Sequence, residues 1–156
     1  MYTINNQGIT KADLQSFCDE VYDFVQADTY FSISSIKQEG FESELFDLGF
    51  SDCFYANLIL ADSRFSYTNA YGSIILYKGE RVITIQSFFI DRVHKHGWID
   101  VYDLMTELAE RYDCKVDEKS DITYRLKNTI VYYDNILDRL YANTDLYYQD
   151  LEAGGF

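Results

Sequence analysis

The sequence predicts a helix-rich α+β fold, with two small units over residues 1–80 and 81–156 packed into one body. Three observations support this prediction. Apolar residues recur at spacings of three and four in several segments, which is typical of helices that bury one face. Short runs rich in Tyr, Phe, Thr and Ile, separated by turn residues, indicate strands. The order helix, short strand, helices and strands occurs roughly twice, although no exact sequence repeat accompanies it.

In the first half, several elements are bounded by residues that cap helices. Thr10 is a good N-cap for a helix to about residue 26, and Ser51 is a good N-cap for another to about residue 61. Gly49 is a good C-terminal stop for a short helix. A cap at Ser34 or Ser35 would start a further short helix that ends at Gly40. The expected order is helix 11–26, strand 30–34, helices 35–40, 42–48 and 52–61, and strands 65–68 and 73–77 joined by a turn.

The second half repeats this pattern of caps and stripes. Thr84 is expected to cap a helix that Gly97 ends, and Asp100 caps the most regular apolar stripe of the chain, over 101–112. A short extended piece at 98–99 and a short helix over 120–127 complete the helical part. The remaining expectations are a strand over 129–133, a last helix after Asp134 that buries Ile136, Leu137, Leu140 and Tyr141, and a partly helical tail.

Winged-helix domains consist, in order, of a helix, a short strand, two helices and a pair of strands. Residues 10–78 resemble that plan in their element order, and residues 84–142 resemble it more loosely. The resemblance implies two winged-helix-like units in tandem. A single irregular α+β domain is the alternative interpretation.

The charge balance restricts the kind of partner. The chain has 26 acidic and 13 basic residues, a net charge of −13. Such a chain is repelled by nucleic acid and by anionic lipid, and it is attracted to basic surfaces. The acids are concentrated in residues 1–50 and 101–156, around a neutral middle. The alternative is that the charge serves only to keep the protein in solution.

Carboxylates on two helices are candidates for partner binding, and they lie either on one continuous negative face or on opposite sides of the protein. Carboxylates three or four residues apart on a helix lie about 5–6 Å from each other, similar to the spacing of phosphates along a strand. The predicted partner-binding residues are Asp13, Asp19, Glu20, Asp23, Asp103, Glu107 and Glu110. In size and charge the chain resembles small acidic phage-type inhibitors of the anti-CRISPR and anti-restriction classes, which act as DNA mimics. That resemblance implies a partner protein with a basic surface, such as a nucleic-acid-binding enzyme.

A DNA-binding or transcription-associated winged-helix regulator is the alternative function. It requires basic residues that converge on one face, because phosphate neutralisation supplies most of the affinity for DNA. The candidates are Lys78, Lys119, Arg125 and Lys127. The helix over 52–61 has no Lys or Arg, so direct nucleic-acid binding is disfavoured. A homodimer is also compatible with the sequence.

No constellation of residues indicates catalysis. The sequence contains neither a Gly-rich phosphate loop nor a Gly-x-Ser-x-Gly elbow. His94 and His96 are two residues apart on a helix and point to different sides, so a metal site that includes Asp91 is less favoured than a pH-sensitive helix end. The cysteines are few, widely spaced and odd in number, which argues against a disulfide framework or a zinc site. We therefore expect no enzyme activity, no metal and no cofactor.

The first residues, MYTINNQG, have neither the basic region nor the apolar core of a signal peptide. No apolar run approaches the length that a membrane-spanning helix needs. The reduced cysteines fit a reducing compartment. The sequence therefore predicts a soluble protein of the cytoplasm.

Overall fold

The computed structural model describes residues 10–154. The chain divides into two compact units. The first comprises the residues up to Thr68 together with Ser73–Val82, and the second comprises Asn69–Gly72 together with the residues from Ile83 onward. Each unit combines helices with one antiparallel sheet of three strands, so the fold class is α+β.

The first unit has four helices and three strands among the described residues. In order they are α1 (Lys11–Phe24), β1 (Tyr30–Phe31), α2 (Ile33–Gln38), a 3₁₀ helix (Glu44–Leu48), α3 (Asp52–Leu60), β2 (Phe65–Ala70) and β3 (Ser73–Lys78). The sheet order is β1-β3-β2, so the last strand lies in the middle. The turn between β2 and β3 places Tyr71 and Gly72 at positive φ, as a type I′ hairpin turn requires.

The predicted helix caps are mostly confirmed. Thr10 forms a capping box with Asp13, in which each side chain accepts a hydrogen bond from the backbone N–H of the other. Ser51 caps α3, and Gly49 ends the 3₁₀ helix at a φ of 76°. The predicted cap of α2, Ser34 or Ser35, is wrong by two or three residues: Ser32 is the N-cap, because β1 is only two residues long and the helix begins earlier.

The core of the first unit lies between α1, α3 and the sheet. Phe17 and Val21 of α1 are fully buried, and they belong to one apolar cluster with Tyr55 and Ile59 of α3. Tyr55, Ala56 and Ile59 are the buried residues of α3, whereas Phe54 and Leu58 are only half-buried. Apolar residues occur all round this helix, so its sequence spacing does not select one face.

Apart from the 3₁₀ helix, the second unit has the same order of elements, followed by one more helix. The elements are α4 (Ile85–His96), β4 (Trp98–Asp100), α5 (Val101–Tyr112), α6 (Lys119–Leu126), β5 (Tyr132–Asp134), β6 (Arg139–Tyr141) and α7 (Thr144–Gly154). The sheet order is β4-β6-β5, so here too the last strand lies in the middle. Ile99 and Tyr133 both pair with Leu140 in this sheet. Phe88, Leu104, Leu108 and Leu140 form the buried interior of the unit.

The predicted helix after Asp134 is wrong. The chain there forms the β5–β6 hairpin, and Ile136 is 88% exposed instead of buried. The apolar spacing 136, 137, 140, 141 matches a helix, but residues 139–141 form the central strand of a sheet and bury Leu140. Tertiary pairing therefore outweighs the local period. The helical tail was predicted, and it forms α7.

No helix within residues 10–154 combines the length and the apolar character needed to cross a membrane.

Candidate functional site

A concave site on the first unit has a strongly acidic lining. We call it the acidic groove. It encloses about 600 Å³ between α1 and the segment that contains the 3₁₀ helix. Its lining residues are Asp13, Ser16, Glu20, Phe41, Glu42, Ser43, Glu44, Leu45, Phe46 and Asp47. Five of these ten residues are acidic, and none is Lys or Arg, so the groove is suited to a cationic group.

The wall that α1 supplies follows from helical geometry. Asp13, Ser16 and Glu20 are spaced by three and four residues, so they lie along one side of the helix. Phe17 lies next to this side and is fully buried, which holds the helix against the core. The prediction that Asp13 and Glu20 share a face agrees with their position in the groove.

The opposite wall is held by aromatic contacts and by one buried hydroxyl. The ring of Phe46 makes edge contacts with the rings of Phe17, Phe41 and Tyr55, at centroid distances of 5.8, 5.8 and 4.9 Å. The Tyr55 hydroxyl donates to the Leu45 carbonyl at 2.6 Å. This irregular segment is therefore attached to α3, and the carboxylates on it have a fixed backbone.

Most carboxylates of the groove are not neutralised by the protein itself. Glu20, Glu42, Glu44 and Asp47 form no ion pair with any residue in the range 10–154. Asp13 accepts a hydrogen bond from its own helix cap. Lys37, the base nearest in the sequence to Glu42, Glu44 and Asp47, is bound to Asp52 at 2.7 Å with its ammonium over the Phe46 ring. The groove thus retains its negative charge.

Asp19 does not face the acidic groove. Its Oδ1 accepts a hydrogen bond from Arg64 Nη2 at 2.7 Å and another from Gln15 Nε2 at 2.9 Å. The same guanidinium binds Asp62 at 2.6 Å. The bond from Arg64 lowers the pKa of both carboxyls below the ordinary range. Asp23 is exposed on α1 and, like Asp19, does not line the groove.

The three predicted acids of α5 differ in their surroundings. Glu107 accepts a hydrogen bond from Arg92 Nε at 3.1 Å, and its other oxygen lies 2.7 Å from His96 Nε2. Its charge is therefore compensated within the second unit. Asp103 and Glu110 are exposed on the same helix. Glu107 is therefore already engaged within the second unit.

The four bases proposed for nucleic-acid binding are largely engaged. Lys78 donates to the carbonyls of Tyr22 and Val25 at 2.6 and 2.8 Å, so its ammonium holds the end of α1. Lys119 donates to Asp138 at 2.8 Å, and that bond raises the pKa of Lys119. Arg125 Nε donates to the Tyr71 hydroxyl at 3.0 Å. Lys127 is the exposed member of the set.

The histidines and cysteines do not assemble into a reactive site among the described residues. His96 faces Glu107, and no three His, Cys, Asp or Glu side chains within residues 10–154 are arranged to hold a metal ion. Cys18 and Cys114 are buried, which raises the pKa of their thiols to about 11 and about 12. Such thiols are poor nucleophiles, because the thiolate is the reactive form.

The chain has no match among models of known protein families, curated proteins or solved structures. The candidate site therefore rests on geometry and charge alone.

The sequence prediction missed half of the groove. Glu42, Glu44 and Asp47 were assigned to a short helix without a functional role. A signal was present, because three acids in six residues lie between Phe41 and Gly49 without a base. What the sequence could not give is the approach of this segment to Asp13 and Glu20, which depends on the packing of Phe41 and Phe46 on α1.

Proposed function

We propose that this chain is a non-catalytic binding protein whose acidic groove takes up a basic surface of another protein. The single observation that carries the proposal is the groove itself, with five carboxylates, two phenyl rings and no basic side chain in its lining. In the fuller form of the proposal, the partner is a nucleic-acid-binding enzyme, and the protein inhibits it by occupying the surface that normally holds phosphates.

The physical basis is electrostatic. A concave site lined by charges of one sign focuses its field and raises the local concentration of groups with the opposite sign. The net charge of −13 adds long-range attraction to a basic partner and increases the rate of encounter. The half-buried side chains of Leu45 and Phe46 add a small apolar area against which the stems of Arg or Lys side chains can pack.

We also propose that both units are winged-helix-like modules. What supports this is that each unit has the element order α-β-α-α-β-β, with a 3₁₀ helix added in the first, and that each sheet places its last strand between the other two. In this proposal the modules act as scaffolds for protein contacts. α3, at the position of the second helix after the first strand, has no Lys or Arg.

The same element order favours a second candidate, a DNA-binding regulator. The positions of Lys78 and Lys119 argue against it, because the ammonium groups of both are already bound within the protein. A gel shift with random duplex DNA at low salt tests this candidate. A retarded band that is lost in the double variant Arg125→Ala, Lys127→Ala would favour the DNA-binding regulator over the non-catalytic binding protein.

The leading proposal is tested with charge reversals in the groove. The groove variant combines Glu42→Lys, Glu44→Lys and Asp47→Lys, and it changes the net charge by six units at the site. The matched control, Glu80→Lys, Asp117→Lys, Glu152→Lys, changes the net charge equally at exposed positions outside the groove lining. A fluorescently labelled peptide of nine arginines should bind wild type and control similarly, and the groove variant at least tenfold more weakly.

The inhibitory part is tested on the partner isolated from the native host with wild-type protein as bait. Wild type and control should displace labelled nucleic acid from that partner, and the groove variant should not. If the groove variant and the control lose the ability to displace nucleic acid to the same extent, only the net charge of the protein matters. A groove variant that displaces nucleic acid as well as wild type would reject the groove as the site.

A further inference from the structure

The turn of the β5–β6 hairpin exposes aliphatic side chains that the sequence pattern places in a core. We call residues 134–138, Asp-Asn-Ile-Leu-Asp, the hairpin tip. Ile136 is 88% exposed and Leu137 is 36% exposed. A single exposed aliphatic residue is ordinary on a protein surface. Here two adjacent aliphatic residues, Ile136 and Leu137, are exposed at the end of one hairpin.

The hairpin tip is hydrogen-bonded at both ends. Asp134 Oδ1 accepts hydrogen bonds from the backbone N–H groups of Ile136 and Leu137, at 2.9 and 3.3 Å. At the other end, the carboxylate of Asp138 accepts from Lys119 Nζ and from the Tyr133 hydroxyl, and its carbonyl accepts from Val101 N. These hydrogen bonds restrain the backbone of the tip, which lowers the conformational entropy that contact with a partner costs.

A third apolar side chain lies beside the hairpin tip. Lys119 Nζ, which is bound to Asp138, lies 5.7 Å from the centroid of the Tyr102 ring. Tyr102 is 51% exposed on the first turn of α5. Tyr102 is thus connected to the hairpin tip through Lys119 and Asp138, and it adds exposed apolar area to that of Ile136 and Leu137.

The charges around this area are mainly negative. Asp103 is exposed next to Tyr102, and Asp134 begins the tip. Asp100 and Asp134 flank Arg139 in the sheet register, and Arg139 is itself bound to Asp150 at 3.1 Å. Lys119 is likewise neutralised by Asp138. The cations near the tip are thus compensated, whereas Asp103 has no ion pair with any described residue.

We infer that the hairpin tip and Tyr102 form a second docking surface, which fits an aliphatic patch rimmed by Lys or Arg on the same basic partner. The surface combines apolar area with carboxylates, so its complement combines apolar area with cations. The inference rests on the proposed function and adds to it that the partner has an apolar contact distinct from the one in the acidic groove. Rigid, exposed aliphatic side chains of this kind contribute affinity by burial.

The experiment uses defined peptides and the full-length protein. The probe is a labelled 18-residue amphipathic helix of Leu and Lys, and the comparison peptide replaces each Leu with Ser at the same charge. The variant is Ile136→Ser, Leu137→Ser. The matched control is Val82→Ser, which removes an aliphatic side chain that is 85% exposed and lies in the first unit. Fluorescence anisotropy gives the dissociation constants, and circular dichroism with urea unfolding verifies that each variant is folded.

We expect the Leu/Lys peptide to bind the Ile136→Ser, Leu137→Ser variant at least tenfold more weakly than wild type, with Val82→Ser unchanged. The Ser/Lys peptide should bind both proteins equally. If both peptides bind, but each has the same dissociation constant for the tip variant and for wild type, the hairpin tip is not a docking surface. The acidic groove would then be the remaining candidate site. If neither peptide binds wild type, the proposed function itself fails.

Two other occupants are distinguished by direct measurements. Binding of wild type, but not of the tip variant, to phosphatidylcholine vesicles would overturn the inference in favour of a lipid surface. Concentration-dependent sedimentation of wild type that the tip variant abolishes would overturn it in favour of a second copy of this chain. The inference requires that wild-type protein does not bind the vesicles and that its sedimentation is the same as that of the tip variant.

Discussion

Arg64 binds Asp19 across 45 positions of the chain, with Nη2 2.7 Å from Oδ1, and so removes this carboxylate from the acidic surface of α1. The same guanidinium binds Asp62 through two nitrogens. The arrangement joins the middle of α1 to the loop after α3. It also separates the acids of α1 into Asp13 and Glu20, which line the acidic groove, and Asp19, which serves the fold.

Replacement of Arg64 by Met should destabilise the protein in a pH-dependent way. The pKa values of Asp19 and Asp62 are lowered in the folded state by the bonds from Arg64. Groups of this kind stabilise the fold above their unfolded pKa, about 3.9, and the stabilisation is lost as the pH falls through the lower folded value. The difference between wild type and variant should therefore be full at pH 7 and should shrink below pH 4. Urea unfolding at pH 7, 5 and 3 measures it, and a difference that is constant with pH would contradict the assignment.

The three cysteines should differ sharply in alkylation. Burial raises the pKa of the Cys18 thiol to about 11 and of the Cys114 thiol to about 12, whereas Cys53 is exposed on α3. Because the thiolate is the nucleophile, iodoacetamide at pH 8 should modify Cys53 alone in the folded protein. Mass spectrometry should show one adduct in buffer and three in urea. A Cys53→Ser variant should show none before unfolding.

Much of the fold follows from local signals. Thr10, Ser51, Thr84 and Asp100 were identified as caps from their chemistry, and each accepts a hydrogen bond from the first turn of its helix. Such signals are readable because a cap and its partner lie within three residues of each other. The stripe of α5 was equally clear, since its buried and exposed residues separate into two faces.

What the sequence could not give depends on distant partners. Residues 136–141 have helical spacing, and only the position of β6 between β4 and β5 makes them a hairpin. Likewise, a base such as Lys78 looks available for phosphate until the structure places its ammonium against the carbonyls of α1. The acidic groove belongs to the same class, because its two walls are separated by more than 20 residues of chain.

Replacement of Lys78 by Met should destabilise the first unit and should leave the result of a DNA gel shift unchanged. The ammonium donates to the Tyr22 and Val25 carbonyls at the C-terminal end of α1, where a positive charge also interacts favourably with the helix dipole. Loss of these bonds should cost about 1–2 kcal/mol. Urea unfolding measures the cost, with Lys127→Met as the control that removes an exposed base at little cost. A gel shift altered more by Lys78→Met than by Lys127→Met would instead support a nucleic-acid role for Lys78.

Replacement of Tyr55 by Phe should weaken both the fold and the acidic groove. The Tyr55 hydroxyl is fully buried with its ring, donates to the Leu45 carbonyl at 2.6 Å and accepts from Phe50 N at 3.3 Å. Phe keeps the ring contact with Phe46 but leaves a carbonyl and an N–H without this partner, at a cost of about 1–3 kcal/mol. Because Leu45 lies between Glu44 and Asp47, the groove wall should become more mobile while its charge stays the same.

The nine-arginine peptide should therefore bind Tyr55→Phe more weakly than wild type, by about three- to tenfold, although no charged residue has changed. Preorganised carboxylates lose less conformational entropy on binding than mobile ones, so loosening the wall lowers the affinity. Cys53→Ser, an exposed change on the same helix, is the control. Hydrogen exchange should show faster exchange over residues 43–50 in Tyr55→Phe. Faster exchange with unchanged peptide affinity would mean that net charge, and not the shape of the groove, determines binding.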